Sequence, residues 1–186
     1  NPKVGLELTT DYYHLLGLQK AMSDASFVDP IKATDELRAI KSEAEIECLR
    51  EAATRTRARM AKVPEQLTQG MTEKEMSRLF GPGGMIQFGL TTSSPNSAAG
   101  NRKLETNDAV VIDAGNRVEG YRSDLTRTFL FGEPTKRMLD VYRIVNEAEL
   151  TAIESAKPGE PASIVDTAAR AVIEKAGFGE YFTHRG

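Results

Sequence analysis

Residues 109–132 read AVVIDAGNRVEGYRSDLTRTFLFG, and no other stretch restricts the fold as strongly. The β-branched, apolar run AVVIDAG predicts a strand buried on both faces. NRVEG supplies turn formers, and YRSDLTRTFLFG predicts the return strand. With the turn centred on Val118-Glu119, Asp113 and Asp124 lie directly opposite each other. Facing residues of an antiparallel pair have Cβ atoms about 4.5–5.5 Å apart. Two ionised carboxylates at that spacing repel, and Val110, Val111, Ile112 and Phe129 leave them poorly solvated. A shared proton, a nearby arginine or a metal would compensate. Arg122, two residues before Asp124, can share its face, whereas Arg127, three residues on, falls on the other. A proton-sharing pair is chemically open. Two carboxylates can also bridge two divalent ions roughly 3.5–4 Å apart. A bulge would break the register and leave one aspartate capping the turn in solvent. Spacing alone leaves these alternatives open.

The flanking sequence predicts mostly helices. KVGLEL (3–8) and ASFVD (25–29) suit short strands, with a helix over 9–22 capped by Thr10 or Asp11. Pro30 opens a short helix over 29–40. Ser42 followed by Glu45 forms a capping box for a long helix reaching about Gln66. A second capping box opens TEKEMSRLF (72–80), followed by a GPGG turn and a strand, MIQFGL (85–90). Residues 91–108 are polar and rich in turn formers, so they read as a loop. Two further helices span 134–157 and 161–177, the latter stopping at Gly177. Long helices around a hairpin give an α+β fold.

Composition narrows the function. The chain has 186 residues, 40% hydrophobic, enough for a real core. A net charge of −3 with scattered Lys and Arg gives no electrostatic case for a nucleic-acid partner. RTRARMAK (55–62) reads as a solvated helix face. No apolar run approaches the roughly 20 residues of a membrane span. The lone Cys48 rules out an intrachain disulfide and agrees with a reducing, cytoplasmic location. The start at Asn1 without Met and the stop at FTHRG suggest a fragment of a longer protein.

The stretch VVIDAG…VEGYRSDLTRTFLFGEPT…VYRIVNEA resembles the pita-bread metallopeptidases, in their Xaa-Pro peptidase branch (aminopeptidase P and prolidase). The two aspartate motifs of that family, Asp-x-Gly and Asp-x-Thr-Arg-Thr, are matched by Asp113-Ala-Gly and Asp124-Leu-Thr-Arg-Thr. ELRAIKSEAEIECLREAA (36–53) and GMTEKEM (70–76) resemble the first two helices of its catalytic domain. The run from Lys157 to Gly186 resembles the approach to its His motif.

The resemblance implies an incomplete pita-bread fold. Residues 1–29 would be the tail of an N-terminal creatinase-like domain, and 30–186 the first portion of the catalytic domain. Asp113 and Asp124 would be two of five ligands to a pair of divalent ions, Mn²⁺ first, with Co²⁺ or Zn²⁺ as alternatives. Hard oxygen donors agree with Mn²⁺. The implied reaction is hydrolysis of an Xaa-Pro bond by a metal-activated water, on a peptide with proline second. A homodimer is the implied assembly, with neither nucleic acid nor membrane as partner. His184 matches the first, substrate-lining His of His-x-x-Gly-His. The ligand His and two Glu of the family lie downstream, one Glu being its proton shuttle, so no catalytic residue falls within the chain. With two ligands alone, this segment should have little activity and weak metal affinity.

Asn96 stands where many of these peptidases carry a substrate-side histidine, and an amide cannot take up a proton as that histidine does. Read without the family, it is a turn former after Pro95. The helix at 72–80 is also shorter than its family counterpart. Thr126, two residues after Asp124, should share its face and steady a metal ligand, or be an ordinary strand threonine. His14 reads as a structural or surface histidine and Cys48 as a packed thiol. Two relatives by fold compete: a creatine amidinohydrolase, which does not keep both aspartates, and a methionine aminopeptidase, with similar aspartate motifs. A non-catalytic pita-bread binding module is the third rival.

Overall fold

A computed structural model of the chain describes residues 1–94 and 97–183. In chain order the elements are β1 (Lys3–Gly5), α1 (Tyr12–Ala21), β2 (Ser26–Val28), α2 (Ile31–Ala39), α3 (Glu43–Met60), α4 (Val63–Gln66), α5 (Glu73–Phe80) and β3 (Gly84–Phe88). After a 3₁₀ turn at Gly89–Ser93 come β4 (Ala109–Ala114), β5 (Arg117–Val118), β6 (Tyr121–Arg122), β7 (Leu125–Leu130), α6 (Lys136–Ser155) and α7 (Ser163–Lys175). They form two compact units: Asn1–Thr56 with Gly115–Asp124, and Arg57–Ala114 with Leu125–Gly186.

In the first unit, β1 and β2 pair in parallel, Val4 opposite Phe27. The crossover between them is α1, as a parallel pair requires. The predicted capping box is present: Ser42 N–H donates to Glu45 Oε2 at 2.6 Å, and Glu45 N–H donates to Ser42 Oγ at 3.4 Å. The hairpin tip also belongs here, with Arg117 opposite Arg122 and Val118 opposite Tyr121. Its turn is therefore Glu119-Gly120, one residue later than the sequence suggested. Both central residues have positive φ, 45° at Glu119 and 89° at Gly120. That is the signature of a type I′ turn, whose twist matches that of the strands it joins.

The helix expected to run to Gln66 stops at Met60 and restarts as α4. Pro64 has no N–H to give the carbonyl four residues back, so a continuous helix would lose a bond and clash there.

The second unit is built on an antiparallel sheet in the order β3-β4-β7. Val110, Ile112 and Ala114 of β4 are buried, while Ala109, Val111 and Asp113 are half-buried. Burial on both faces, expected from the apolar run, is replaced by alternation. The main core covers one face of the sheet, where Ile86, Phe88, Val110 and Ile112 pack with Met76 and Phe80 of α5, Val63 and Leu104. Asp113 thereby points to the less covered face, where a charge is tolerable. A second cluster joins α6 and α7 through Ala148, Ala152, Ala169 and Ile173. Thr135 caps α6 by accepting from Met138 N–H at 3.3 Å. No helix among the described residues is long and apolar enough to cross a membrane.

Candidate metal centre

Asp113 sits in the central strand, half-buried, in a row that runs Met85, Asp113, Thr126 across the sheet. The expected partner was Asp124. The observed register is slipped by two residues, because the chain reverses at Glu119-Gly120 rather than at Val118-Glu119. Asp113 is therefore paired in the ladder with Thr126 and not with Asp124. Thr126 was expected to share a face with Asp124, and the ladder places it directly beside Asp113. Asp124 is exposed and lies in the two-residue interruption between β6 and β7. It belongs to the first unit and Asp113 to the second.

The local conformation just before Asp124 is fixed by a polar cluster in the first unit. Ser123, 7% exposed, accepts from Asn116 N–H at 3.1 Å and donates to the Ala52 carbonyl at 3.1 Å. Its Oγ is 2.8 Å from Thr56 Oγ1, and Asn116 Nδ2 donates to that same oxygen at 3.1 Å. Thr56 is fully buried on α3. Ser123 N–H closes the ring on the Asn116 carbonyl at 3.0 Å. The glycine of the Asp113-Ala-Gly motif follows from the same crowding: a Cβ on Gly115 would lie 2.1 Å from the Ser123 carbonyl oxygen. Closer to the tip, Tyr121 donates its hydroxyl to Glu45 Oε1 at 2.6 Å. That bond, followed by those from Ser42, pulls the Glu45 carboxyl down to about 2, and Tyr121 is raised in turn.

In the second unit a cavity of about 610 Å³ is lined by Lys74, Ser77 and Arg78 of α5, by Gly84 and Met85 of β3, and by Ser97–Ala99. Met85 is at once a wall of this cavity and the ladder neighbour of Asp113. Behind the wall lies Glu73, 1% exposed. Its Oε1 accepts from Phe88 N–H at 2.9 Å and from the Thr91 hydroxyl, and its Oε2 accepts from Gly100 N–H at 2.7 Å. Arg102 donates to both oxygens of Asp108, at 2.9 and 3.0 Å, and through Nε to the Phe88 carbonyl at 2.9 Å.

Sequence reading missed Glu73, because an acidic residue in a helix's first turn normally serves the helix dipole in solvent. A signal was present: Glu73, Met76 and Phe80 recur at the spacing of one helix face, and that face is buried. His14 is exposed, 3.8 Å from Asp11, and Cys48 is half-buried. Asn96 and His184 lie outside the described residues. Among the described residues no three His, Cys, Asp or Glu side chains cluster closely enough to hold a metal. What Asp113 and Asp124 offer is carboxylate oxygen alone, a donor type that suits hard divalent ions.

The model of metallopeptidase family M24 matches residues 47–186. An uncharacterised peptidase of Staphylococcus aureus (strain MSSA476) is 39% identical over 172 residues, covering 86% of this chain and 49% of the relative. A Xaa-Pro dipeptidase of Pyrococcus horikoshii is 33% identical over 193 residues, covering 97% of this chain and 55% of the relative. Among solved structures, the prolidase from Pyrococcus horikoshii OT3 superposes with a TM-score of 0.92 at 31% identity, over 99% of this chain and 56% of that one. The chain thus spans about half the length of the relatives it matches.

Proposed function

The chain belongs to metallopeptidase family M24, and from that we propose that the full-length protein hydrolyses the Xaa-Pro bond of peptides or dipeptides with the help of divalent metal ions. The fold is the pita-bread α+β fold of the prolidases and aminopeptidases it superposes on, represented over about half of their length. One observation carries the reading. The aspartate of the Asp-x-Gly motif stands on the less covered face of a rigid central strand, in one ladder row with a wall residue of a cavity large enough for a dipeptide.

In this reading Asp113 and Asp124 are the ligands this chain contributes, and Mn²⁺ is the first expectation, ahead of Co²⁺ and Zn²⁺. When bound, the ions supply Lewis-acid activation of the hydrolytic water. Thr126, directly across from Asp113, would orient that carboxylate. The hydrogen-bonded ring around Ser123 would hold the backbone that presents Asp124. Asn96 and His184 are proposed to line the substrate side. Residues 1–29 are proposed as the end of a preceding domain that supports a homodimer. Two carboxylates alone hold divalent ions weakly, so hydrolysis is assigned to the full-length protein.

The test is calorimetric titration of the full-length protein with Mn²⁺, coupled to an assay on Xaa-Pro dipeptides and longer Xaa-Pro peptides. Asp113→Asn and Asp124→Asn should each weaken metal binding and lower the rate by about 100-fold or more. Hydrolysis that survives both substitutions and exhaustive chelation would sink the proposal.

A further inference from the structure

We propose that Glu73 is a positioning residue for the substrate: its one buried carboxylate fastens the Ser97–Ala99 wall of the cavity to the end of β3. The inference rests on the peptidase reading above. The carboxylate reaches two points far apart in the chain. On one oxygen it takes Phe88 N–H, at the last residue of β3, together with the Thr91 hydroxyl. On the other it takes Gly100 N–H, directly after the wall. The first turn of α5 reinforces the same junction from its own backbone. Glu73 N–H donates to the Arg102 carbonyl and Lys74 N–H to the Gly100 carbonyl, each at 3.1 Å. Helix N–H groups that would otherwise lack partners are thus used to hold the returning chain.

The chemistry demands a carboxylate. Phe88 N–H and Gly100 N–H are fixed backbone donors, one on each oxygen. A carboxylate accepts on both sides, whereas an amide accepts on one and presents a donor on the other. Glu73→Gln keeps the shape of the side chain yet sets its NH₂ against a backbone N–H. If the NH₂ turns to Gly100, that N–H loses its acceptor, which is costly, and the wall is released to move relative to Met85 and the row of Asp113. If it turns to Phe88, that N–H keeps the Thr91 hydroxyl at 3.0 Å, and the end of β3 loses its tie to the wall through Glu73. Either way the tie between the wall and β3 opens while Asp113, on the next strand, keeps its ladder partners.

The substitution should therefore act on substrate binding before it acts on metal. In the full-length protein loaded with Mn²⁺, Glu73→Gln should raise KM for an Xaa-Pro dipeptide about tenfold, with kcat changed less than about threefold. The Mn²⁺ titration should match wild type. Hydrogen exchange should quicken at residues 97–100 and stay unchanged in β4. A folded Glu73→Gln protein with KM within about twofold of wild type overturns the inference. So does a loss of metal binding equal to the loss of activity. Should Glu73→Gln not fold, Gly100→Ala carries the test. Its Cβ would stand 3.2 Å from Glu73 Oε2 and push the wall outward with the carboxylate intact. A rise in KM of about threefold or more supports the inference and an unchanged KM overturns it. A wild-type protein that does not cleave Xaa-Pro bonds refutes the peptidase reading itself, a result distinct from any of these.

Discussion

Ser123→Ala tests whether the ring beside Asp124 is a structural unit or a set of interchangeable contacts. The hydroxyl touches four groups: Asn116 N–H, the Asn116 carbonyl, the Ala52 carbonyl and Thr56 Oγ1. Three of them keep a partner when it is removed. The Asn116 carbonyl still accepts from Ser123 N–H at 3.0 Å. The Ala52 carbonyl still accepts from Thr56 Oγ1 at 3.1 Å, and Thr56 Oγ1 still accepts from Asn116 Nδ2. Asn116 N–H is left with no other acceptor. Leaving one such donor unsatisfied costs about 1–3 kcal/mol. The expected loss is therefore about 2 kcal/mol, more than the few tenths typical of a surface serine. Thr56→Val should cost less, about 1 kcal/mol, because Asn116 is only half-buried and its side-chain amide can turn to water. The direct Ser123–Thr56 contact should appear as a coupling of about 1 kcal/mol in a double-mutant cycle followed by urea unfolding. A Ser123→Ala loss below about 0.5 kcal/mol, or strictly additive variants, would show that water replaces the hydroxyl and that the ring fixes nothing.

Asp108→Ala removes the nearer carboxylate partner of Arg102, leaving Glu105 at 3.8 Å and the Phe88 carbonyl, and should cost about 2 kcal/mol in the same unfolding measurement. The pH dependence at Glu45 follows from its lowered value. The folded protein favours the carboxylate, so this contribution is complete above the unfolded value of 4.5 and is lost as pH falls from there toward about 2. Tyr121→Phe removes the largest cause of that shift, and an NMR titration should find the Glu45 carboxyl moved back toward 4.5.

Features set by a few neighbouring residues were legible. Ser42 with Glu45 and Thr72 with Glu75 form the boxes their spacing announces. The β-branched run is the central strand. The helix break was also written locally, in Pro64, but the apolar spacing on either side outweighed it. Burial was harder to read. Glu73 is hidden by its resemblance to a dipole-serving first-turn acid, and only its register with Met76 and Phe80 betrays it. Ser123 and Thr56 stand 67 residues apart, so neither looks like half of a buried pair until the hairpin folds over α3.

The register of the hairpin was the decisive miss, and its cause is one residue. NRVEG allows more than one two-residue centre, and a glutamate is a poor candidate for positive φ. Placing Gly120 second and forcing Glu119 to φ 45° costs something locally but keeps the strands on a twist-matched turn. The consequence reaches the chemistry. A turn one residue earlier would have set two carboxylates face to face, and their repulsion would have demanded a shared proton, a nearby arginine or a metal. In the observed ladder Asp113 faces Thr126, a neutral hydroxyl that can support a ligand and does not compete with it. The ladder register by itself therefore supplies no facing carboxylate pair from which a metal could be argued. The metal reading stands on the two aspartate motifs and on the family the chain belongs to.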